Sequence, residues 1–267
     1  MNSTLTIKNV FGIVILSVLS ALVVGTIIAS VGLVYLPEEN TVFANYLALF
    51  VGQGFMIVPL LLFLVARKEP LLRRLRIRKI SFPVIITSTI LSIGLIVIVD
   101  EFDRLSSSLF TPPEFLNQMG TMLKFDSFGM ALFLMFGIVL LAPLSEELLF
   151  RGFLQKFLEE HWQDITRAVL VTSLFFALIH LNPFWLIQIY VLGVMLGYLA
   201  WKTGSIWAGF ILHAANNFVA LMFTNYDESL VGFYTWNGHV APWILLLGVI
   251  CIYYGFTGLN KTAKVQA

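Results

Sequence analysis

The chain has 267 residues, 59% of them apolar and only 12% charged, with a mean hydropathy of +0.91. A soluble domain runs near half apolar and a quarter charged, so a packed water-soluble core, a disordered chain and a nucleic-acid binder are all excluded. Sixteen Lys and Arg against fifteen Asp and Glu create no field that would select an anionic partner, and the lone Cys251 excludes both an intrachain disulfide framework and a cysteine zinc cluster.

Long continuous apolar runs, in place of short alternating ones, indicate an all-α polytopic membrane protein and not a β-barrel. Eight candidate spans follow in chain order, over residues 10–36, 45–66, 81–99, 128–150, 167–181, 184–201, 205–224 and 241–259, the fifth being short. The first run is too long for a cleaved signal sequence and has only Lys8 before it, so it reads as a retained helix. Its Ala21, Gly25 and Ala29 recur every fourth residue and read as a helix-packing face. Orientation follows from Lys and Arg: the segment from Arg67 to Lys79 holds seven of them and is placed in the cytoplasm. With eight spans both termini are then cytoplasmic. Fourteen of the sixteen cations, Lys261 and Lys264 among them, fall on that side, and only Arg104 and Lys124 lie opposite. The basic segment itself is expected to serve topology and lipid headgroups.

Two stretches read as short interfacial helices. Residues 153–165 alternate apolar and polar side chains at helical spacing, as expected of a helix lying along the cytoplasmic surface after the fourth span. In the outer loop, Phe115, Leu116, Met119, Met122 and Leu123 mark a second one. No soluble domain or repeat interrupts what reads as a single membrane domain over residues 1–267. Ser205, in KTGSIW, reads as a helix cap.

Ionisable side chains inside spans are costly and face a protein interior or a wet cavity. They are nearly absent from the first three spans and concentrated from the fourth onward: Glu146, Glu147 and Arg151, then His180, then His213 with Asn216 and Asn217. Two adjacent carboxylates in a low dielectric cannot both ionise cheaply. Glu147 and Arg151 stand four apart on one helix face, so the arginine can hold Glu147 ionised, while Glu146 is rotated about 100° away to face another helix. Pro143 can kink or open the helix beside the pair. His180 ends a helix before Asn182-Pro183, with Phe176 one turn back beside its ring. His213 and Asn217 share a face and can aim two hydrogen-bond donors at one point, as a developing oxyanion requires. Each group alone has a plainer reading, as an interfacial ion pair or an interhelical hydrogen bond. Together they make a recipe for hydrolysis: a carboxylate deprotonates water, a histidine positions it, and a donor pair stabilises the tetrahedral intermediate.

These residues carry a resemblance. EELLFR (Glu146 to Arg151), FALIH (Phe176 to His180) and HAANN (His213 to Asn217) match, in order, the Glu-Glu-x-x-x-Arg, Phe-x-x-x-His and His-x-x-x-Asn signature of the CAAX-protease and bacteriocin-processing family of intramembrane proteases, which includes the type II CAAX prenyl endopeptidase. The resemblance covers roughly residues 128–224, which would be the catalytic core, with residues 1–127 as N-terminal helices. It implies that Glu146 activates water with help from His180, that Glu147 and Arg151 orient the site, that His213 and Asn217 form the oxyanion hole, and that Phe176 is a packing residue. No cofactor is assigned. A zinc ion at Glu146, His180 and His213 is the alternative, against which stand the absence of an HExxH helix and the suitability of Asn217 for an oxyanion. The implied activity is an intramembrane endopeptidase acting on membrane-associated or lipidated peptides near the cytoplasmic leaflet, with membrane lipids as its other partners. The compact loops suggest a bacterial plasma membrane, where a prenylated substrate is not expected. A proton-coupled transporter using the same Glu/His cluster and a non-catalytic peptide-binding scaffold are the competing classes. A simple topology places Glu146 near the cytoplasmic face, His213 at mid-membrane and His180 near the outer end of the fifth span, whereas catalysis requires all three to converge.

Overall fold

The structure, a computed structural model, describes residues 5–226 and 232–263; Lys264, counted above among the cytoplasmic cations, lies outside them. The described chain is helical throughout except for one small hairpin. In order the helices are α1 (Ile7–Tyr35), α2 (Glu38–Met56), α3 (Val58–Ala66), α4 (Leu71–Arg74), α5 (Phe82–Leu109), α6 (Glu114–Met122), α7 (Phe128–Trp162), α8 (Ile165–Leu178), α9 (Leu186–Thr203) and α10 (Ile206–Asn225). Strands β1 (Thr235–Trp236) and β2 (His239–Val240) precede α11 (Pro242–Thr262). Seven helical stretches are long and apolar enough to cross a membrane, with α2 and α3 together forming one of them, Phe43–Ala66. The protein is a multi-pass membrane protein. The remaining expected span is α8, with only 14 residues.

Local chemistry sets the ends. Pro59, in the first turn of α3, has no N–H to continue α2, so the chain breaks at Ile57. Asp164 caps α8 by accepting from the Arg167 N–H at 2.9 Å, and Gln163 before it is left-handed at φ 55°. Gly204 at φ 61° ends α9, and Ser205 caps α10 as its sequence suggests. The hairpin turns on Asn237 and Gly238, both at positive φ, the conformation that an Asn-Gly pair provides in a two-residue turn.

Helix lengths resolve the depth conflict between the three site segments. At 1.5 Å per residue, the 14 residues of α8 reach only about 21 Å, less than the ~30 Å hydrocarbon layer. His180, just beyond its end, therefore stops part-way across. The fourth span does not end near residue 150 but runs on to Trp162, 35 residues in all, so Glu146 sits near the midpoint of α7 and not near its end.

The same continuation corrects the reading of residues 153–165 as a helix lying on the surface. Phe153, Leu154, Gln155 and Leu158 are fully buried. The polar residues of this stretch are used within the protein: Gln155 Nε2 donates to the Gly197 carbonyl at 2.9 Å, Glu159 pairs with Arg76, and Glu160 pairs with Arg74 at 2.8 Å. Two cations expected to face lipid headgroups thus dock the basic segment onto the end of α7. At the opposite end, the expected amphipathic helix is present as α6, with Phe115, Met119 and Met122 exposed. The Ala21–Gly25 face of α1 packs on α2 at Gly52. Those two helices also lean on α7, leaving a groove of about 460 Å³ between them that reaches Glu146 and His180.

Candidate active site

The site is built on α7, which is not a uniform α-helix. Met135–Leu141 and Glu147–Gln155 are wound as π-helix, with the α-helical turn Ala142–Glu146 between them. A π-turn closes on i+5 and so holds more residues than an α-turn. Successive side chains are then separated by less than the 100° of an α-helix. Glu146 faces another helix, as its sequence position suggests, and that helix is α10, where both carboxylates reach the His213 ring.

His213 Nδ1 lies 3.0 Å from Glu147 Oε1, and its Nε2 lies 3.6 Å from Glu146 Oε2. Arg151 Nη1 stands 3.2 Å from the same Glu147 oxygen, and both of those side chains have no exposure. Glu147, paired with a guanidinium, is an acceptor, so His213 Nδ1 carries a proton and donates it to that carboxylate. The ring is thereby fixed with its other nitrogen towards Glu146. Glu146 Oε2 is buried and has no hydrogen-bond partner within the described protein. Arg151 is held from two further sides, by the Gly193 carbonyl at 3.3 Å and by the Phe176 ring 4.0 Å beneath its guanidinium.

Phe176 joins the three polar segments. Its ring meets His213 edge-on at 5.7 Å, His180 edge-on at 4.9 Å and Phe150 at 5.4 Å. His180 is exposed to the cavities on either side, and its Nδ1 lies 2.7 Å from the Phe176 carbonyl. A carbonyl only accepts, so Nδ1 carries the proton and Nε2 is left as the acceptor of the neutral ring. Two cavities meet at this histidine. One is the groove beside α1 and α2 that reaches Glu146. The other, of about 300 Å³, holds His180, His213 and Asn217 on its walls.

Asn217 has a second engagement that the sequence reading missed. In the first π-stretch the Ala142 N–H bonds to the Gly137 carbonyl, five residues back. The next such bond would run from residue 143 to Ile138, but Pro143 has no N–H. Asn217 Nδ2 donates to the orphaned Ile138 carbonyl at 3.0 Å. An amide nitrogen carries two hydrogens, so one donor remains for the cavity.

Three glycines also escaped notice, though their spacing gave a signal. Gly193 and Gly197, four apart in GVMLG, present carbonyls of α9 to Arg151 and Gln155, which are four apart on α7. Gly209 lies one turn before His213, and a Cβ there would stand 2.8 Å from Glu147 Oε2. Nδ1 of His180 and Nδ1 of His213 are both committed to internal acceptors, which leaves Nε2 of each ring free, an arrangement that a metal-ligating histidine also has. Among the described residues, no group of three or more His, Cys, Asp or Glu side chains is placed to hold a metal ion.

Residues 128–219 match the family model described as Rce1-like, type II CAAX prenyl endopeptidase Rce1-like. Neither a curated protein nor a solved structure matches the chain. The matched segment opens with α7 and closes two residues past Asn217, leaving α1 to α6 and α11 outside it. Over that segment, which is less than half of the chain, the protein is similar to the Rce1-like, type II CAAX prenyl endopeptidase family of membrane proteases.

Proposed function

We propose that the protein is an intramembrane endopeptidase that hydrolyses peptide bonds of membrane-associated substrates with a glutamate-activated water. The observation that carries this reading is the convergence of two adjacent carboxylates on the two nitrogens of one buried histidine. Glu147, held between Arg151 and His213, is the fixed partner. Glu146, with an unpaired oxygen, is the free one, and it faces the cavity that also reaches His180. Glu146 takes a proton from a water that His180 Nε2 helps to hold. The resulting hydroxide attacks the scissile carbonyl carbon. Negative charge then develops on the carbonyl oxygen, where the spare Asn217 N–H supplies one donor and His213 Nε2 supplies a second once it too carries a proton. Collapse of the intermediate breaks the C–N bond, and Glu146 returns its proton to the leaving amine. The groove beside α1 and α2 gives a lipid-embedded or lipidated peptide a sideways route to Glu146.

The test is cleavage of a membrane-peptide library by the purified protein in detergent, wild type against Glu146→Gln and His213→Ala. Removing a general base costs roughly 10²–10⁴-fold in rate, so Glu146→Gln is expected to remove measurable cleavage while the melting profile is retained. A proton-coupled transporter or a scaffold would show no cleavage in the wild type. Cleavage by Glu146→Gln at the wild-type rate would remove Glu146 from the mechanism.

A further inference from the structure

The second cavity leads away from the reacting groups to a carboxylate that the mechanism does not use. Its walls carry His180, His213 and Asn217 and also Asp103 of α5, with Trp185 and Gln188. Asp103 Oδ1 accepts from Trp185 Nε1 at 3.0 Å and from Gln188 Nε2 at 2.6 Å, so its direction is fixed before any ligand arrives. No Lys, Arg or His is paired with Asp103 among the described residues. Its neighbour Asp100 is in a different state, neutralised by Arg104 at 2.9 Å. Gln188 lines the cavity and is only 6% exposed, and its Oε1 is buried with no hydrogen-bond partner among the described residues. A buried acceptor without a donor and a carboxylate without a cation are both costly in an apolar wall, and one arriving cationic donor relieves both.

The volume of about 300 Å³ is at the small end for ligand pockets, suited to one side chain and not to a whole peptide. Resting on the endopeptidase reading, we propose that this cavity is a specificity subsite for a basic substrate side chain, lysine or arginine, beside the scissile bond, with Asp103 and Gln188 Oε1 as its acceptors. A substrate carbonyl held at His213 and Asn217 sends a neighbouring side chain into this cavity, while the peptide backbone stays in the groove by Glu146.

The experiment measures binding, so that it stands apart from whether the protein cleaves. Full-length Glu146→Gln protein in lipid nanodiscs is titrated with acetylated, amidated, fluorescent hexapeptides of alanine and leucine. Each carries one lysine or one norleucine, moved through the six positions. A charge-assisted hydrogen bond of this kind is expected to make lysine bind about tenfold to a hundredfold more tightly than norleucine at one position. Adding Asp103→Asn, whose amide oxygen can still accept from Trp185 and Gln188, is expected to abolish that preference and leave the norleucine peptide bound as before. Gln188→Met is expected to reduce the preference in part. The absence of any lysine preference in the Glu146→Gln protein overturns the subsite, as does a preference that survives Asp103→Asn. Neither result depends on cleavage, which the assay of the wild type decides separately.

Discussion

At the scale of single residues, the site depends on a buried charge being fixed from several directions. Glu147 has a guanidinium and an imidazole on one oxygen, and the space for its other oxygen exists because residue 209 has no side chain. Arg151→Met leaves Glu147 charged and unmatched in the interior, for which the expected cost is about 3–5 kcal/mol. Thermal melting in detergent should show a large drop or no folded protein. Gly209→Ala is a milder perturbation. Its Cβ meets an oxygen that Arg151 and His213 do not allow to move freely, so the carboxylate pair shifts. Misplacement by about 1 Å can cost 100-fold in rate, so cleavage is expected to fall tenfold to a hundredfold in a protein that still folds. Unchanged cleavage by Gly209→Ala would show that the position of Glu147 does not matter to the reaction.

At the scale of elements, α7 and α10 are coupled through a missing hydrogen bond. The sequence marked Pro143 as a break beside the acidic pair and Asn217 as a polar partner of His213, but it did not connect the two. The π-winding of Met135–Leu141 connects them, because it assigns the vacant bond to Ile138, which Asn217 reaches. Asn217→Ala should therefore cost stability as well as activity, roughly 1–3 kcal/mol for the orphaned carbonyl. Pro143→Ala restores an N–H to the helix and should lessen that cost, giving a coupling of about 0.5–3 kcal/mol in a double-mutant cycle read by melting. Additive effects would mean that the Ile138 carbonyl is not the link. The Glu146, Glu147, Arg151, His180, His213 and Asn217 set stood out in the sequence as a candidate site because side chains so polar are scarce in apolar spans. The π-winding on either side of Pro143 was not readable, because helix type depends on how carbonyls pair around a proline and not on local propensity. Nor was the buried course of residues 153–165, whose amphipathic pattern is the same whether its polar face meets water or Arg74, Arg76 and Gly197.

At the scale of the molecule, a short helix and a long one bring distant segments to a common depth, and a clamp closes each end. At the basic end Arg74 and Arg76 bind α7. At the hairpin end Glu101 accepts from His239 and from the Val240 N–H, and Arg104 reaches the Gly238 carbonyl. Tyr234 belongs to this clamp. Burial first, and then the charge and hydrogen bond of Asp100, push its phenol above the ordinary range. A phenol that keeps its proton in the folded state leaves stability intact below the unfolded value of about 10 and lowers it as the pH rises from there. Melting curves from pH 8 to 11 should show that decline, with a smaller part of it in Tyr234→Phe. The central claim, that Glu146 turns water into the nucleophile, is tested most directly by a single turnover in oxygen-18 water. The account predicts one heavy oxygen in the newly formed carboxylate from the wild type and no product from Glu146→Gln. A first-turnover product without the label, or labelled product from Glu146→Gln at the wild-type rate, would contradict it.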